Sequence, residues 1–447
     1  MSDRALMTPV VAEGGSIPSR DRRSQGFDVL VLDAASRQSL AAVQSLGRAG
    51  LRVATAECFA ECDRALTPLA FRSRYSLHNL VLPSFADDAD AFAAAVEEFV
   101  RRHPTRVVLP ASDGSIAALI GWRPQLEALG SRLALPSADS LAAANNKDRT
   151  LEEARRLGIP FPRTVCCNDL ADLPDALDNV GFPAVLKPTI SWAPRTVERL
   201  QAVEVLNLAE AERAARRFLC AGAGVIVQQW VGGRREGVTL LVQGGEVRAS
   251  ITVVAHRTTP ALGGASVLRE SAPVAPDVYD PSVRLVKALD LDGPCEVEYR
   301  RDETGCPLLM EINARLAGPL ETLLRSGFDL PLMVWRWAAD LPVATAGDFR
   351  TVRTRWLRGD LRWLRDNFFR VGRPDSVSRA RSIWEFGTEF LRSEHYDCVD
   401  WHDLRPIVVE LRSTARSVRV AARRPAGDTV SQMKKARPRA KGGGHAN

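Results

Sequence analysis

The chain has 447 residues, 45% hydrophobic and 26% charged, an ordinary globular composition with room for two or three domains. No run approaches the roughly 18 apolar residues of a membrane span, and the first residues carry no apolar stretch of the secretory kind. The net charge of +6 does not point to nucleic acid: from Leu411 to Asn447 ten Lys or Arg face one acid, Asp428, so this stretch carries +9 and the remainder is slightly acidic.

Residues 1–26 mix Gly, Ser, Pro and alternating charge, and are expected to be a disordered leader. Asp28-Val-Leu-Val-Leu is an apolar run of buried parallel-strand type. Leu40, Val43, Leu46 and Gly47 follow at helical spacing, then Leu51-Arg-Val-Ala-Thr as a second strand. The loop after the first strand lacks Gly-x-Gly-x-x-Gly, which argues against dinucleotide binding. Arg106-Val-Val-Leu-Pro reads as another strand, with a helix from Ile116 to Leu129, so an open parallel α/β domain is expected over 27–140. Asp113, at the carboxyl end of that strand, reads either as a helix cap or as an acid facing a ligand. The eight cysteines show no repeated Cys-x-x-Cys, and Cys166 and Cys167 are adjacent; free thiols in a reducing, cytoplasmic setting are expected, with Cys58 and Cys62 lacking further ligands for zinc.

A second region, expected over 141–345, alternates helices with β-rich segments. A helix from Leu151 to Leu157 ends at Gly158; strands follow in Ala184-Val-Leu-Lys187-Pro, from Gly224, from Val238, from Val247 and in Leu308-Leu-Met-Glu-Ile-Asn. Gln243-Gly-Gly-Glu is a hairpin turn, because glycine takes positive φ without steric cost. A helical extension is expected over 346–420. In it Leu357, Leu361, Leu364 and Phe368 keep helical spacing among Arg353, Arg355, Arg358, Arg362 and Arg365; such a helix packs on its own protein or lies on an anionic membrane. Residues 421–447 read as a disordered basic tail.

Three groups carry chemistry. Lys187 ends an apolar strand, where a buried ammonium calls for an anion, although a lysine snorkelling to the surface fits the same pattern. Gln228-Gln229-Trp230-Val231 leads to Glu236; an extended segment between two lobes can offer backbone groups to a base and a following carboxylate can accept from hydroxyls, but neither role is legible from this segment alone. Glu298, and Glu311 with Asn313 on one strand face, supply the hard oxygen ligands that Mg²⁺ prefers; a solvated strand edge is the plainer alternative.

In order and spacing, Lys147, Lys187, Gln-Gln-Trp-Val, Glu236, Glu298, Glu311 and Asn313 resemble the ATP-grasp superfamily over residues 27–343, and within it the bacterial carboxylate–amine ligases. The resemblance implies an N-terminal open parallel α/β domain, a two-lobed ATP-grasp α+β core and a helical C-terminal extension. It implies that Lys147, in Asn145-Asn-Lys-Asp-Arg, and Lys187 contact ATP phosphates. Gln228, Gln229, Trp230 and Val231 take the adenine position, Glu236 the ribose position, and Glu298, Glu311 and Asn313 hold Mg²⁺ or Mn²⁺. Arg315 contacts the acyl substrate or the transferring phosphate, so Arg315 and Lys187 are the candidate catalytic residues.

The expected activity is an ATP- and Mg-dependent ligation of a small-molecule or glycan-linked carboxylate to an amine through an acylphosphate. A phosphotransferase on the same fold and a non-catalytic nucleotide-binding scaffold are the alternatives. No specific nucleic acid and no transmembrane segment are expected; peripheral membrane contact and homo-oligomerisation are left open. One departure from the family stands out: after Lys187 the chain reads Thr189-Ile-Ser-Trp-Ala-Pro-Arg-Thr, with no glycine where a glycine-rich flap is usual. Ser191, Arg195 and Thr196 are candidate substitutes. Arg257, Gly263 and Gly264 form a later loop that reads either as the acceptor side of the site or as an ordinary mobile loop.

Overall fold

The structure is a computed structural model that describes residues 26–58, 67–192, 200–260, 264–345, 349–369 and 373–422. Cys62, Arg195, Thr196, Gly263 and nearly all of the expected leader and tail lie outside these residues. The seven cysteines among the described residues are free thiols.

The N-terminal sheet is parallel. Strands β1 (Phe27–Val31), β2 (Val53–Cys58), β3 (Ser76–Leu82), β4 (Thr105–Leu109) and β5 (Arg132–Leu133) stand in the order β3-β2-β1-β4-β5. Alternation along β1 sends Val29 and Val31 towards the helix Arg37–Arg48, which offers Leu40, Val43 and Leu46. Leu30 and Leu32 go to the other face, against Phe92, Val96 and Phe99 of the helix Ala89–Arg102. The single helix expected from Ile116 to Leu129 is two, Asp113–Leu119 and Arg123–Ala128, with Pro124 in the first turn of the second, where its missing N–H costs nothing.

A small antiparallel sheet follows: β6 (Thr164–Cys167), β7 (Ala184–Pro188), β8 (Val203–Val205) and β9 (Val225–Gln229), in the order β6-β9-β7-β8. One face is covered by the helices Leu173–Val180 and Leu208–Cys220. The large sheet holds β10 (Arg235–Gln243), β11 (Glu246–Thr259), β12 (Ala265–Ala272), β13 (Gly293–Arg301), β14 (Pro307–Asn313), β15 (Arg353–Arg355) and β16 (His395–Tyr396), in the order β14-β13-β10-β11-β12-β15-β16. The β10–β11 turn is the expected Gly-Gly hairpin, with Gly244 at φ 63° and Gly245 at φ 76°. Val238, Leu240, Val297 and Tyr299 pack with the helix Pro276–Ala288 on one face. On the other, Leu241, Ile251 and Val253 meet the helices Leu320–Ser326 and Leu330–Ala338.

The C-terminal extension is mainly helical, but Arg353 and Arg355 belong to β15 rather than to the helix Leu357–Phe369, so the extension completes the large sheet. Its attachment is electrostatic. Asp397 pairs with Arg269, which is fully buried, and with Arg37 of the N-terminal domain. Desolvation works against its charge, yet Arg269 and Arg37 outweigh burial and hold its pKa below the usual carboxylate range. Asp403 accepts from Gln44 at 3.0 Å and from the Arg74 N–H at 3.0 Å. Removing one partner of a buried pair strands the other charge. Asp397→Asn should therefore destabilise the protein by about 3–5 kcal/mol in urea unfolding. Asp340→Asn, at the exposed pair with Arg132, should cost less than about 1 kcal/mol.

Candidate active site

Register decides what β13 and β14 present. Glu298 stands opposite Glu311, and Glu296 opposite Asn313; on β10, Gly237 stands opposite Glu298 and Arg235 opposite Arg300. Directly paired residues share a face, so Arg235, Glu296, Glu298, Arg300, Glu311 and Asn313 line one side of the sheet. Asn313 Nδ2 donates to Glu298 Oε1 at 3.2 Å. Arg235 Nη1 lies 3.6 Å from Glu298 Oε2 and donates to the Gly264 carbonyl at 2.8 Å.

Glu296 and Arg235 are not among the residues assigned from sequence. For Glu296 the signal is the same alternation, two residues before Glu298; for Arg235 it exists only once β10 is paired with β13. Glu296 is buried, and desolvation, then the charge of Glu298, pushes its pKa up to about 8. Gly237 makes room for this carboxylate, since a Cβ there would lie 2.6 Å from Glu296 Oε1.

Lys187 enters the same space from the small sheet. Ala184 and Leu186 of β7 face the helices, so alternation turns Lys187 the other way. Desolvation pushes its pKa down from 10.5 to about 8; Glu311 and Glu298 oppose the shift, while Lys147 and Arg300 add to it. Lys147 opens the helix Lys147–Arg156, capped by the Asn146 side chain. Its N–H donates to the Thr189 carbonyl at 3.1 Å and its Nζ to Ser191 Oγ at 3.0 Å, which stitches it to the loop after β7.

Arg315 links the two domains. Its Nε donates to Asp113 Oδ1 at 2.7 Å, and its Nη2 to Asn313 Oδ1 at 3.3 Å. The helix cap at that point is Ser112, which accepts from the Ser115 N–H at 3.1 Å, so Asp113 is the acid that faces the site and not the cap.

Other expectations need correction. Glu236 is one residue out of phase with Gly237 and lies on the opposite face of the sheet, where Arg234 and Arg301 occupy its buried carboxylate; it does not face the site as a hydroxyl acceptor. Arg257 is buried, donates to both oxygens of Asp360 at 3.0 and 2.8 Å and stacks 4.2 Å from the Trp363 ring, which makes it a packing residue. In the segment assigned to adenine, Gln228 shares the face of Lys187 but is buried, with its amide donating to Thr164 Oγ1 at 3.0 Å. The Gln229 N–H donates to the Arg163 carbonyl at 2.8 Å, the Trp230 N–H to that of Pro183 at 3.4 Å, and the Val231 carbonyl accepts from Arg300 Nη1 at 3.3 Å.

Glu298, Glu311 and the Asn313 amide suit a hard cation chemically. Among the described residues no three His, Cys, Asp or Glu side chains converge on one point. The set therefore fits Mg²⁺ held by two carboxylates and completed by phosphate oxygens and water, and does not fit an all-protein cage. The fit depends on the space beside Gly237. Gly237→Ala should push the Glu296 carboxylate towards Glu298 and cut turnover by about 10- to 100-fold, since misplacement of about 1 Å carries that cost. Stability by urea unfolding should fall by only about 1–3 kcal/mol.

Residues 226–359 match the family described as ATP-grasp in the biosynthetic pathway with Ter operon. The chain is 27% identical over 208 residues to the uncharacterized protein y4rH of Sinorhizobium fredii, across 44% of this chain and 42% of that protein, so it spans less than half of that relative. It is 31% identical over 226 residues to the ribosomal protein bS6–L-glutamate ligase of Escherichia coli O81, across 48% of this chain and 69% of the ligase. The fold is similar to that of biotin carboxylase from Campylobacter jejuni, at TM-score 0.57 and 13% identity over 73% of this chain and 74% of that one. With the carboxylate face of β13 and β14, the two lysines and this relatedness in hand, the chain belongs to the ATP-grasp superfamily, among its carboxylate–amine ligases.

Proposed function

We propose that this protein phosphorylates a substrate carboxylate with ATP and passes the acyl group to an amine. The observation that carries the reading is the convergence of Lys187 with Glu298, Glu311, Asn313 and Arg315 on one face, where a desolvated lysine favours a bound polyanion and two paired carboxylates favour its cation. Lys147 and Lys187 hold the ATP phosphates. The stretch from Gln229 to Val231 takes the adenine through those backbone groups that the sheet and Arg300 do not occupy. Mg²⁺ or Mn²⁺ held by Glu298, Glu311 and Asn313 supplies charge neutralisation at the phosphates.

Arg315, oriented by Asp113, binds the substrate carboxylate. A carboxylate oxygen attacks the γ-phosphorus and ADP leaves; the amine then attacks the acyl carbon, inorganic phosphate leaves, and the amine loses a proton. Support for a ligase over a phosphotransferase comes from the 31% identical glutamate ligase. Among the described side chains, no nucleophile with a base is needed for this route.

Phosphates bind the protonated lysine, so ATP binding raises the pKa of Lys187 from its value of about 8 in the free protein. Calorimetry in two buffers of different ionisation enthalpy, at about pH 8–9, should show proton uptake on ATP binding and an affinity that falls as pH rises through this range. Lys187→Met should bind ATP more weakly and without that uptake; an unchanged affinity would remove Lys187 from the phosphate site.

The reaction type has its own test. Incubation with ATP, a candidate acid and hydroxylamine should give a hydroxamate, and ¹⁸O placed in the acid should appear in the released phosphate. A stable phosphate ester with no hydroxamate would make the protein a phosphotransferase on the same fold. Glu311→Gln should abolish hydroxamate formation while leaving the protein folded.

A further inference from the structure

The helix Arg379–Thr388 and the short 3-10 turn Glu389–Leu391 that continues it are docked inside out. A surface helix normally turns its apolar stripe to the core. Here the face towards the protein combines charged and polar groups with the rings of Phe386 and Phe390. Ser382 and Glu389 are buried, Arg353 donates to Glu389 through Nε at 2.6 Å and Nη2 at 3.1 Å, and Glu385 lies 3.8 Å from Arg257. The buried Arg355 donates to the Phe386 carbonyl at 2.9 Å and stacks on the rings of Phe386 and Phe390 at 4.4 and 4.3 Å. Charge and cation–π contacts hold the helix down, so its apolar stripe is left outside.

That stripe is Ala380, Ile383, Trp384, Gly387 and Leu391, spaced as one helical face, with Ile383 54%, Trp384 62% and Leu391 89% exposed. Its rim is basic on balance: Arg379, Arg381 and Arg392 are exposed against the exposed Glu394, while Glu385 is shared between Arg381 at 2.7 Å and Arg257 beneath at 3.8 Å, and Glu389 is engaged by Arg353. The charge selects the occupant. The chain beyond residue 422 has seven Lys or Arg against Asp428 and would be repelled by this rim. A second copy packed two-fold on the stripe would set arginines against arginines. A single helix is also a ridge rather than a groove, and a ridge of Trp, Ile and Leu between arginines matches the boundary of headgroups and acyl chains in an anionic bilayer. The basic stretch that follows supplies a second, electrostatic attraction of the same sense. Among the described residues no helix is long and apolar enough to cross a membrane, so the contact is peripheral.

We propose that the outer face of residues 380–391 seats on an anionic lipid surface, with Ile383, Trp384 and Leu391 entering the acyl boundary and Arg379 and Arg392 meeting lipid phosphates. The test is co-sedimentation of the full chain with vesicles of phosphatidylcholine alone or mixed with phosphatidylglycerol. Binding is expected only to the phosphatidylglycerol vesicles, and it should weaken as salt rises. The double variant Trp384→Ser, Leu391→Ser should lower partitioning about tenfold or more, with unchanged circular dichroism and ATP binding. A chain ending at Ala422 should still sediment at low salt, through the stripe. The proposal is overturned if the full chain fails to sediment, if both vesicle types bind equally, or if the truncation abolishes binding while the double variant leaves it intact. It is equally overturned if the stripe instead drives a dimer in sedimentation velocity, or captures poly-glutamate in preference to vesicles.

Discussion

The pairing of β13 with β14 is the constraint from which the rest of the site follows. It sets two carboxylates, Glu298 and Glu311, directly across from each other, with Glu296 one pair along on the same face. Like charges opposite one another in a sheet destabilise it, so such a register persists only with compensating cations. Arg235, Arg315 and Lys187 provide them, each from a different part of the chain. Lys187 arrives from the small sheet, Arg235 from the neighbouring strand, and Arg315 from the turn after β14, where Asp113 of the N-terminal domain steadies it. The paired carboxylates are then placed as a bound cation would need them, and the desolvated lysine as an anion would.

How far the site can be read from sequence depends on whether its geometry is local. Glu311 and Asn313 share a face because they are two apart in one strand, and Lys187 turns away from Leu186 for the same reason; alternation alone carries both. Glu236 fails by one residue. Its neighbour Gly237 stands opposite Glu298, and only the register of β10 on β13, a pairing some 60 residues apart in sequence, shows that Glu236 lies on the reverse face. Asp113 and Arg315 are 202 positions apart, and neither a cap motif nor strand periodicity foretells that contact. Arg257 misleads in the opposite way: an arginine near glycines suggests a substrate loop, whereas its partner Asp360 comes from a helix 103 residues later.

Eight of the sixteen strands among the described residues were legible, because apolar runs bounded by Gly and Pro are a local signal. The C-terminal third was less so. Its three-residue strand β15 is rich in arginine and carries no apolar run, because it is held by a buried ion-pair network as much as by its ladder. A binary hydrophobic pattern cannot report an element that is anchored through its charges. The same property explains why the helix Arg379–Thr388 leaves Ile383 and Trp384 on the outside.

That mode of anchoring bears on how the protein is made. Asp397 joins Arg37, 360 positions earlier, and Arg269, 128 positions earlier, and Asp403 reaches back 359 positions to Gln44. During synthesis the first domain and strands β10 to β14 emerge from the ribosome before these acids do, and an arginine destined for full burial has no counter-charge until then. The catalytic strands are complete by Asn313, yet the stable unit closes only after residue 403. Arg37 of the first domain and the buried Arg269 of β12 therefore gain their counter-charge, and Gln44 its acceptor, only once the segment reaching residue 403 has emerged.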